Sequence, residues 1–148
     1  MGNEPLSERR AARHTAGRLL LSRLRLGTQP VDSIVVTSPR RTIPIARVVE
    51  SLVSAFGAAD ADVASYALAG PDDAAVLTAR TLLRERSGRV VLEAPGVLDV
   101  PEILLLAVEA DAVILVARRG HTLRRDLEIA RQELESAGAR LSAAVLLA

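Results

Sequence analysis

The sequence predicts a three-layer α/β/α domain on a mainly parallel sheet, and three observations carry that prediction. Short aliphatic and β-branched runs alternate with segments of helical spacing from Asp32 to the end of the chain. Those runs are apolar on both faces, the pattern of strands sandwiched between helices. At 148 residues, 49% of them apolar, the chain is long enough for one continuous core, and a second full domain would not fit.

From Ser7 to about Leu26, Ala11, Leu19, Leu20, Leu21, Leu24 and Leu26 alternate with arginines, which predicts an amphipathic helix stopped by Gly27. Residues 1–31 are therefore taken as an N-terminal helix and linker, and 32–148 as the α/β domain. The run DSIVVTS, Asp32 to Ser38, lies between Pro30 and Pro39 and predicts a buried strand. Ile45, Val48, Val49, Leu52, Val53 and Phe56 then recur at helical spacing, with Gly57 as the expected stop. DVASYALA, Asp62 to Ala69, is the weakest strand because of its alanines. Gly70-Pro71-Asp72-Asp73 predicts a turn whose aspartates cap the next helix, which runs to about Ser87. After Gly88, RVVLEAPG predicts a strand ending at Pro95-Gly96, PEILLLAVEA a short helix and DAVILVARR another buried strand. Thr122 to Ala137 has Leu123, Leu127, Ala130 and Leu134 on one face, Thr122 as its N-cap and Gly138 as its stop. LSAAVLLA closes the chain without a polar tail, which suggests a boundary or a deletion there.

The formal charge of +1 arises from 19 bases and 18 acids, so no whole-molecule field calls for nucleic acid. All the bases are arginine. Absence of cysteine excludes disulfides, thiolate nucleophiles and cysteine metal sites, and two distant histidines, His14 and His121, make a weak metal set. No apolar run is long enough to span a membrane, and the N-terminus lacks a signal core; a cytoplasmic location is expected.

In such a sheet, ligands bind beyond the carboxyl ends of the strands. Three junctions are therefore candidates: Thr37 to Arg41, Glu93 to Leu98, and Ala117 to Thr122. The first can hold an anion through Arg40, Arg41 and the following helix start, or be a surface turn with solvated arginines. It has no glycine to turn amides inward, and Pro44 removes a donor. Glu93 can hold a magnesium ion through water or cap a neighbouring turn. His121 has no sequence-placed nucleophile or carboxylate to complete a triad. Arg18, Arg23 and Arg25 on the first helix, with Arg118 and Arg119 at the third junction, are the candidate contact residues.

The stretch from Arg89 to Leu147, with VVLEAPG, then PEILLLAVEA, then DAVILVARR, then an arginine-rich helix ending Gly-Ala, resembles the C-terminal half of the bacterial tyrosine kinase family. These are P-loop proteins that accompany capsule and exopolysaccharide chain-length regulators. DSIVVTSP is similar to their first strand. The resemblance implies a P-loop NTPase-like fold and places Pro44, Ile45 and Ala46 where the family carries Gly-Lys-Ser/Thr. The phosphate lysine thus corresponds to isoleucine and the magnesium-binding hydroxyl to alanine. Glu93 corresponds to the Walker B aspartate, and the segment carrying a second aspartate is shortened between Gly57 and Gly70. The family's terminal tyrosine cluster is absent, Tyr66 being the one tyrosine. Of the ring-forming glutamate and two arginines, the best register, Thr15, Arg18 and Leu21, retains one.

The resulting expectation is a pseudo-enzyme with no catalytic residue, cofactor or metal, whose degenerate nucleotide site comprises Arg40, Arg41, Pro44, Ile45, Ala46 and Glu93. It would act by contact with a protein, a membrane-embedded polysaccharide chain-length or export protein at the inner face of the plasma membrane. A homo-oligomer stays open. The alternative is a divergent ATPase or switch that binds nucleotide or phosphate through Arg40, Arg41 and Glu93.

Overall fold

The computed structural model describes residues 31–41, 43–58, 63–68, 73–85 and 88–148. Among them five strands form one sheet: β1 (Ser33–Thr37), β2 (Val63–Ala67), β3 (Arg89–Glu93), β4 (Ala112–Arg118) and β5 (Leu141–Leu147). Their order across it is β2-β3-β1-β4-β5, and every pairing is parallel. Among the described residues four helices connect them: α1 (Ala46–Ala58), α2 (Asp73–Arg84), α3 (Ile103–Ala107) and α4 (Arg124–Ser136). The expected α/β class with a mainly parallel sheet is the class found. The amphipathic segment of residues 7–26, with Arg18, Arg23 and Arg25, lies outside the described residues, as do Gly70, Pro71 and Asp72.

Connection handedness sorts the helices into layers. Right-handed crossovers running one way along a sheet lie on one face, and those running the other way lie on the opposite face. The chain moves from β1 outward to β2 through α1, then back through α2, α3 and α4 to β5. Accordingly, Ile34, Val36, Val91, Ile114 and Val116 cluster with Val48, Val49, Leu52 and Ala55 of α1. Val35, Val90, Leu92, Val113 and Leu115 cluster on the other face with Val76, Ala79 and Leu83 of α2, Ile103 and Leu106 of α3, and Ala130 and Leu134 of α4. Alternate side chains of a strand point to opposite faces, so β1 supplies both clusters. Each fully buried aliphatic side chain stabilises the fold by about 1.5–3 kcal/mol.

The sequence expectation that every strand is buried on both faces holds for the inner strands and fails at the edges. β2 is half-buried at Val63 and Ala64 and exposed over Ser65, Tyr66 and Ala67. β5 alternates half-buried and exposed along its whole length. An edge strand has a neighbour on one side alone, and its exposed positions hold the small residues Ser65, Ala67, Ser142 and Ala144 as well as Tyr66 and Leu146.

Local signals explain most boundaries. Gly138 has φ +85°, its N–H donates to the Glu135 carbonyl and the Ala139 N–H to that of Leu134, both at 3.0 Å. That pair of bonds is a Schellman cap, and it ends α4 where the glycine predicts. Gly57, in contrast, lies inside α1, which continues through Ala58. Thr122 does not cap α4 either: Leu123 is the N-cap and makes no side-chain bond. Thr122 Oγ1 instead accepts the Arg118 N–H at 2.8 Å, closing the turn after β4. At the opposite end of the sheet, the Asp111 carboxylate accepts the N–H groups of Asp32 (2.9 Å) and Ser33 (3.1 Å), and the Asp111 N–H donates to Ser33 Oγ (2.9 Å). This exchange joins the starts of β1 and β4 and fixes their register.

Candidate functional site

The strand order places a switch in direction at β1, where α1 departs on one face and the return path crosses on the other. The ends of β1 and β3 are the positions at which this topology opens a crevice. A cleft of about 250 Å³ lies there, lined by Ser38, Arg41, Ile43 to Ala46, Leu68 and Glu93 to Gly96. Thus the first two predicted junctions meet in one place, and Leu68 after β2 joins them. Of the expected nucleotide-site residues, Arg41, Pro44, Ile45, Ala46 and Glu93 line this cleft, and Arg40 does not.

The two junctions are stitched together by their main chains. The N–H of Val97 donates to the Ser38 carbonyl at 2.9 Å, and that of Leu98 to the Pro39 carbonyl at 3.1 Å. Thr37 Oγ1 donates to the Pro95 carbonyl at 2.8 Å, and Ser38 Oγ to the Arg40 carbonyl at 2.6 Å. Gly96 permits the approach: a Cβ there would lie 2.6 Å from Arg40 C and Arg41 N and 2.7 Å from Arg40 Cα. Real Cβ atoms essentially never come within 3.0 Å of such an atom, so a side chain at this position has no room unless the backbone shifts.

Arg40 is exposed, as a surface turn suggests, and it is also paired. Its Nη1 contacts Asp99 Oδ1 at 3.1 Å and its Nε contacts Asp126 Oδ2 at 3.3 Å, bridging the loop after β3 to the first turn of α4. The Arg41 N–H donates to Asp99 Oδ2 at 2.7 Å. Burial pushes the Asp99 carboxyl up, but the Arg41 N–H and the Arg40 guanidinium together outweigh it and hold the group below its ordinary value. Hydrogen bonds to Asp99 and Asp126 in turn raise Arg40 above its ordinary value.

Asp99 and Asp126 are the partners of Arg40 that sequence reasoning missed. They lie 59 and 86 positions from Arg40. The one available signal was Asp126 itself, the sole acid in the first turn of a helix that begins with two arginines.

Ile45 is 6% exposed and packs into the α1-side core, while its neighbours Pro44 and Ala46 are exposed. The side chain aligned with the phosphate lysine therefore belongs to the core at the cleft's floor. Glu93 is half-buried at the cleft wall, and its main-chain carbonyl accepts the Leu68 N–H at 2.8 Å. Among the described residues no three His, Asp or Glu side chains gather as a metal-holding group. The third junction stands apart: Arg118 is half-buried, Arg119 and His121 are exposed, and none of them lines the cleft. His121 Nδ1 lies 3.2 Å from the Arg119 carbonyl. No described helix is long and apolar enough to cross a membrane.

No family model and no curated protein sequence matches the chain. Solved structures do match its fold, and the class they define is the bacterial tyrosine kinase domain with its P-loop-like α/β architecture. The kinase domain of Escherichia coli tyrosine kinase ETK superposes with a TM-score of 0.75 at 17% identity, covering 90% of this chain and 74% of that one. The VpsO kinase domain gives 0.66 at 16% identity, with 97% and 98% covered. The BceF tyrosine kinase domain gives 0.62 at 16% identity, with 90% and 74% covered. At such identities the shared property is the fold.

Proposed function

We propose that this chain is a tyrosine-kinase-fold domain that performs no phosphoryl transfer and acts by protein contact. The observation that carries the proposal is the seam between the junctions after β1 and β3. Phosphoryl transfer depends on positioning and neutralising the phosphates, with backbone amides wrapped around them and a lysine and a metal in reach. Here the Arg41 amide is held by Asp99, the Gly96 backbone packs against the Arg40–Arg41 peptide, and the position aligned with the lysine is a core isoleucine. The sequence contains no lysine to take its place. The resemblance to capsule and exopolysaccharide kinases supports a membrane-embedded polysaccharide chain-length or export protein as partner, with the domain at the inner face of the plasma membrane.

Calorimetric titration with ATP and ADP, with and without magnesium, tests the proposal. The expected result is no heat of binding at millimolar nucleotide. Micromolar, magnesium-dependent binding would overturn it and favour the second reading, a nucleotide- or phosphate-binding switch. One observation speaks for that reading: Arg41 and Glu93 line the same cleft. Arg40, its third expected contact, is held by Asp99 and Asp126.

A further inference from the structure

The turn after β4 and the start of α4 carry a concentration of charge that neither the cleft nor the core uses. Arg118, Arg119, His121, Arg124 and Arg125 fall within eight consecutive positions. Arg119, His121, Arg124 and Arg125 are exposed. Arg118, Arg119 and Arg125 form no ion pair among the described residues, while Arg124 feels Glu128 one helical turn on. The nearest acid in the sequence, Asp126, is taken by Arg40.

Helix stability does not account for this arrangement. The amino end of a helix carries partial positive charge, and cations there are unfavourable. α4 nevertheless opens with Arg124 and Arg125, and its N-cap, Leu123, makes no side-chain bond to the free amides. Leu123 is also 66% exposed in the middle of the arginines. Beside the same turn, at the end of β5, Leu146 is 62% exposed. The Arg119 N–H donates to the Leu147 carbonyl at 2.9 Å, which ties the two segments together.

The shape of the region narrows its partner. The chain from Arg118 to Thr122 is a tight turn, with the His121 and Thr122 N–H groups both donating to the Arg118 carbonyl. A side chain at Gly120 would meet no atom within 4 Å. The turn therefore projects. A peptide ligand is held in a groove, whereas a projecting loop of guanidinium groups around an exposed leucine suits a flat, fluid, anionic layer. Guanidinium groups bind phosphate oxygens in pairs, and their carbon stems lie along apolar material while the charge stays at the interface.

We propose that the Arg118–Arg125 corner docks this domain on an anionic phospholipid surface, with Arg119, Arg124 and Arg125 on the headgroup phosphates and Leu123 inserted among the acyl chains. This surface is separate from the cleft, so the proposal stands whether or not the cleft binds nucleotide.

The test is co-sedimentation of the full chain with vesicles of phosphatidylglycerol and phosphatidylcholine in equal parts, and with phosphatidylcholine alone. Binding is expected on the anionic vesicles alone and should weaken as salt is raised. Each arginine near such a surface strengthens binding about fivefold, so R119Q/R124Q/R125Q should lose roughly 100-fold. L123S should lose about tenfold at unchanged charge. These residues are exposed, so an unchanged thermal melt should accompany both variants. The N-terminal segment is also rich in arginine, and R18Q/R23Q/R25Q is expected to keep most of the binding. Failure to bind anionic vesicles, equal binding to neutral ones, or loss confined to the N-terminal variant would overturn the proposal. So would binding of soluble polyglutamate without vesicle binding, which assigns the corner to an acidic protein.

Discussion

Replacing Gly96 by alanine tests the seam that closes the candidate site. The added Cβ would sit 2.6–2.7 Å from three backbone atoms of Arg40 and Arg41. Reaching an ordinary carbon contact requires the loops to part by about 1 Å. The Val97 to Ser38 and Leu98 to Pro39 bonds, now 2.9 and 3.1 Å, would then exceed hydrogen-bonding range. Each of the two lost bonds costs about 1 kcal/mol net, and overpacking in a close-packed region costs about 1–3 kcal/mol, so a loss of roughly 3–5 kcal/mol is expected. For a chain of this size that lowers Tm by about 10–15 °C. Urea unfolding should place the loss in the midpoint at an unchanged slope. Because Asp99 holds the other side of the seam, Gly96→Ala and Asp99→Ala should couple by at least about 0.5 kcal/mol in a double-mutant cycle. A melt within about 1 °C of the parent, or additive effects, would refute the close approach on which the proposed function rests.

Two further outcomes follow from the same residues. The Asp99 carboxyl is held below its ordinary 3.8 in the folded state, so its contribution to stability is present above that value and lost as pH falls through the lower folded one. Acid unfolding followed by circular dichroism should therefore show Asp99→Asn with a shallower decline in stability below about pH 4 than the parent. Ile45→Lys puts a cation where a core side chain is 6% exposed, and should cost about 2–5 kcal/mol in urea unfolding. It should also show no ATP hydrolysis, and measurable turnover would count against the account of the loop.

The inner strands were legible because their residues face helices on both sides: Ile34 to Val36 and Val113 to Val116 show no more than 1% exposure, and a buried strand has no polar face to mislead. The edge strands were legible as strands and not as edges. Val145, Leu146 and Leu147 look as apolar as any inner run, and position in the sheet depends on connection order, which periodicity does not encode. Gly138 announced its cap because a left-handed residue after a helix is a local requirement. Thr122 misled for the converse reason, since its hydroxyl had two local partners and took the Arg118 amide. The partners of Arg40 and the closeness of Gly96 were beyond sequence reasoning because both depend on loops brought together by non-adjacent strands.

The physical point at the cleft is competition for the same backbone. A phosphate-binding loop needs successive amides free and turned inward, with glycines that let the ligand approach. In this chain the glycine at the junction, Gly96, belongs to the loop after β3, and the closeness it allows is used by a neighbouring main chain. The Arg41 amide faces Asp99, and Asp99 is held in turn by Arg40, whose other bond reaches α4. Inserting a lysine would leave each of these contacts in place. Opening the amides would mean breaking Asp99 from both arginines and separating the seam at Gly96, at a cost to the fold comparable to that expected for Gly96→Ala. On the proposed function, nucleotide binding at this junction would draw against the contacts that hold β1, β3 and α4 together, so the titration with ATP and the unfolding of Gly96→Ala probe one question from two sides.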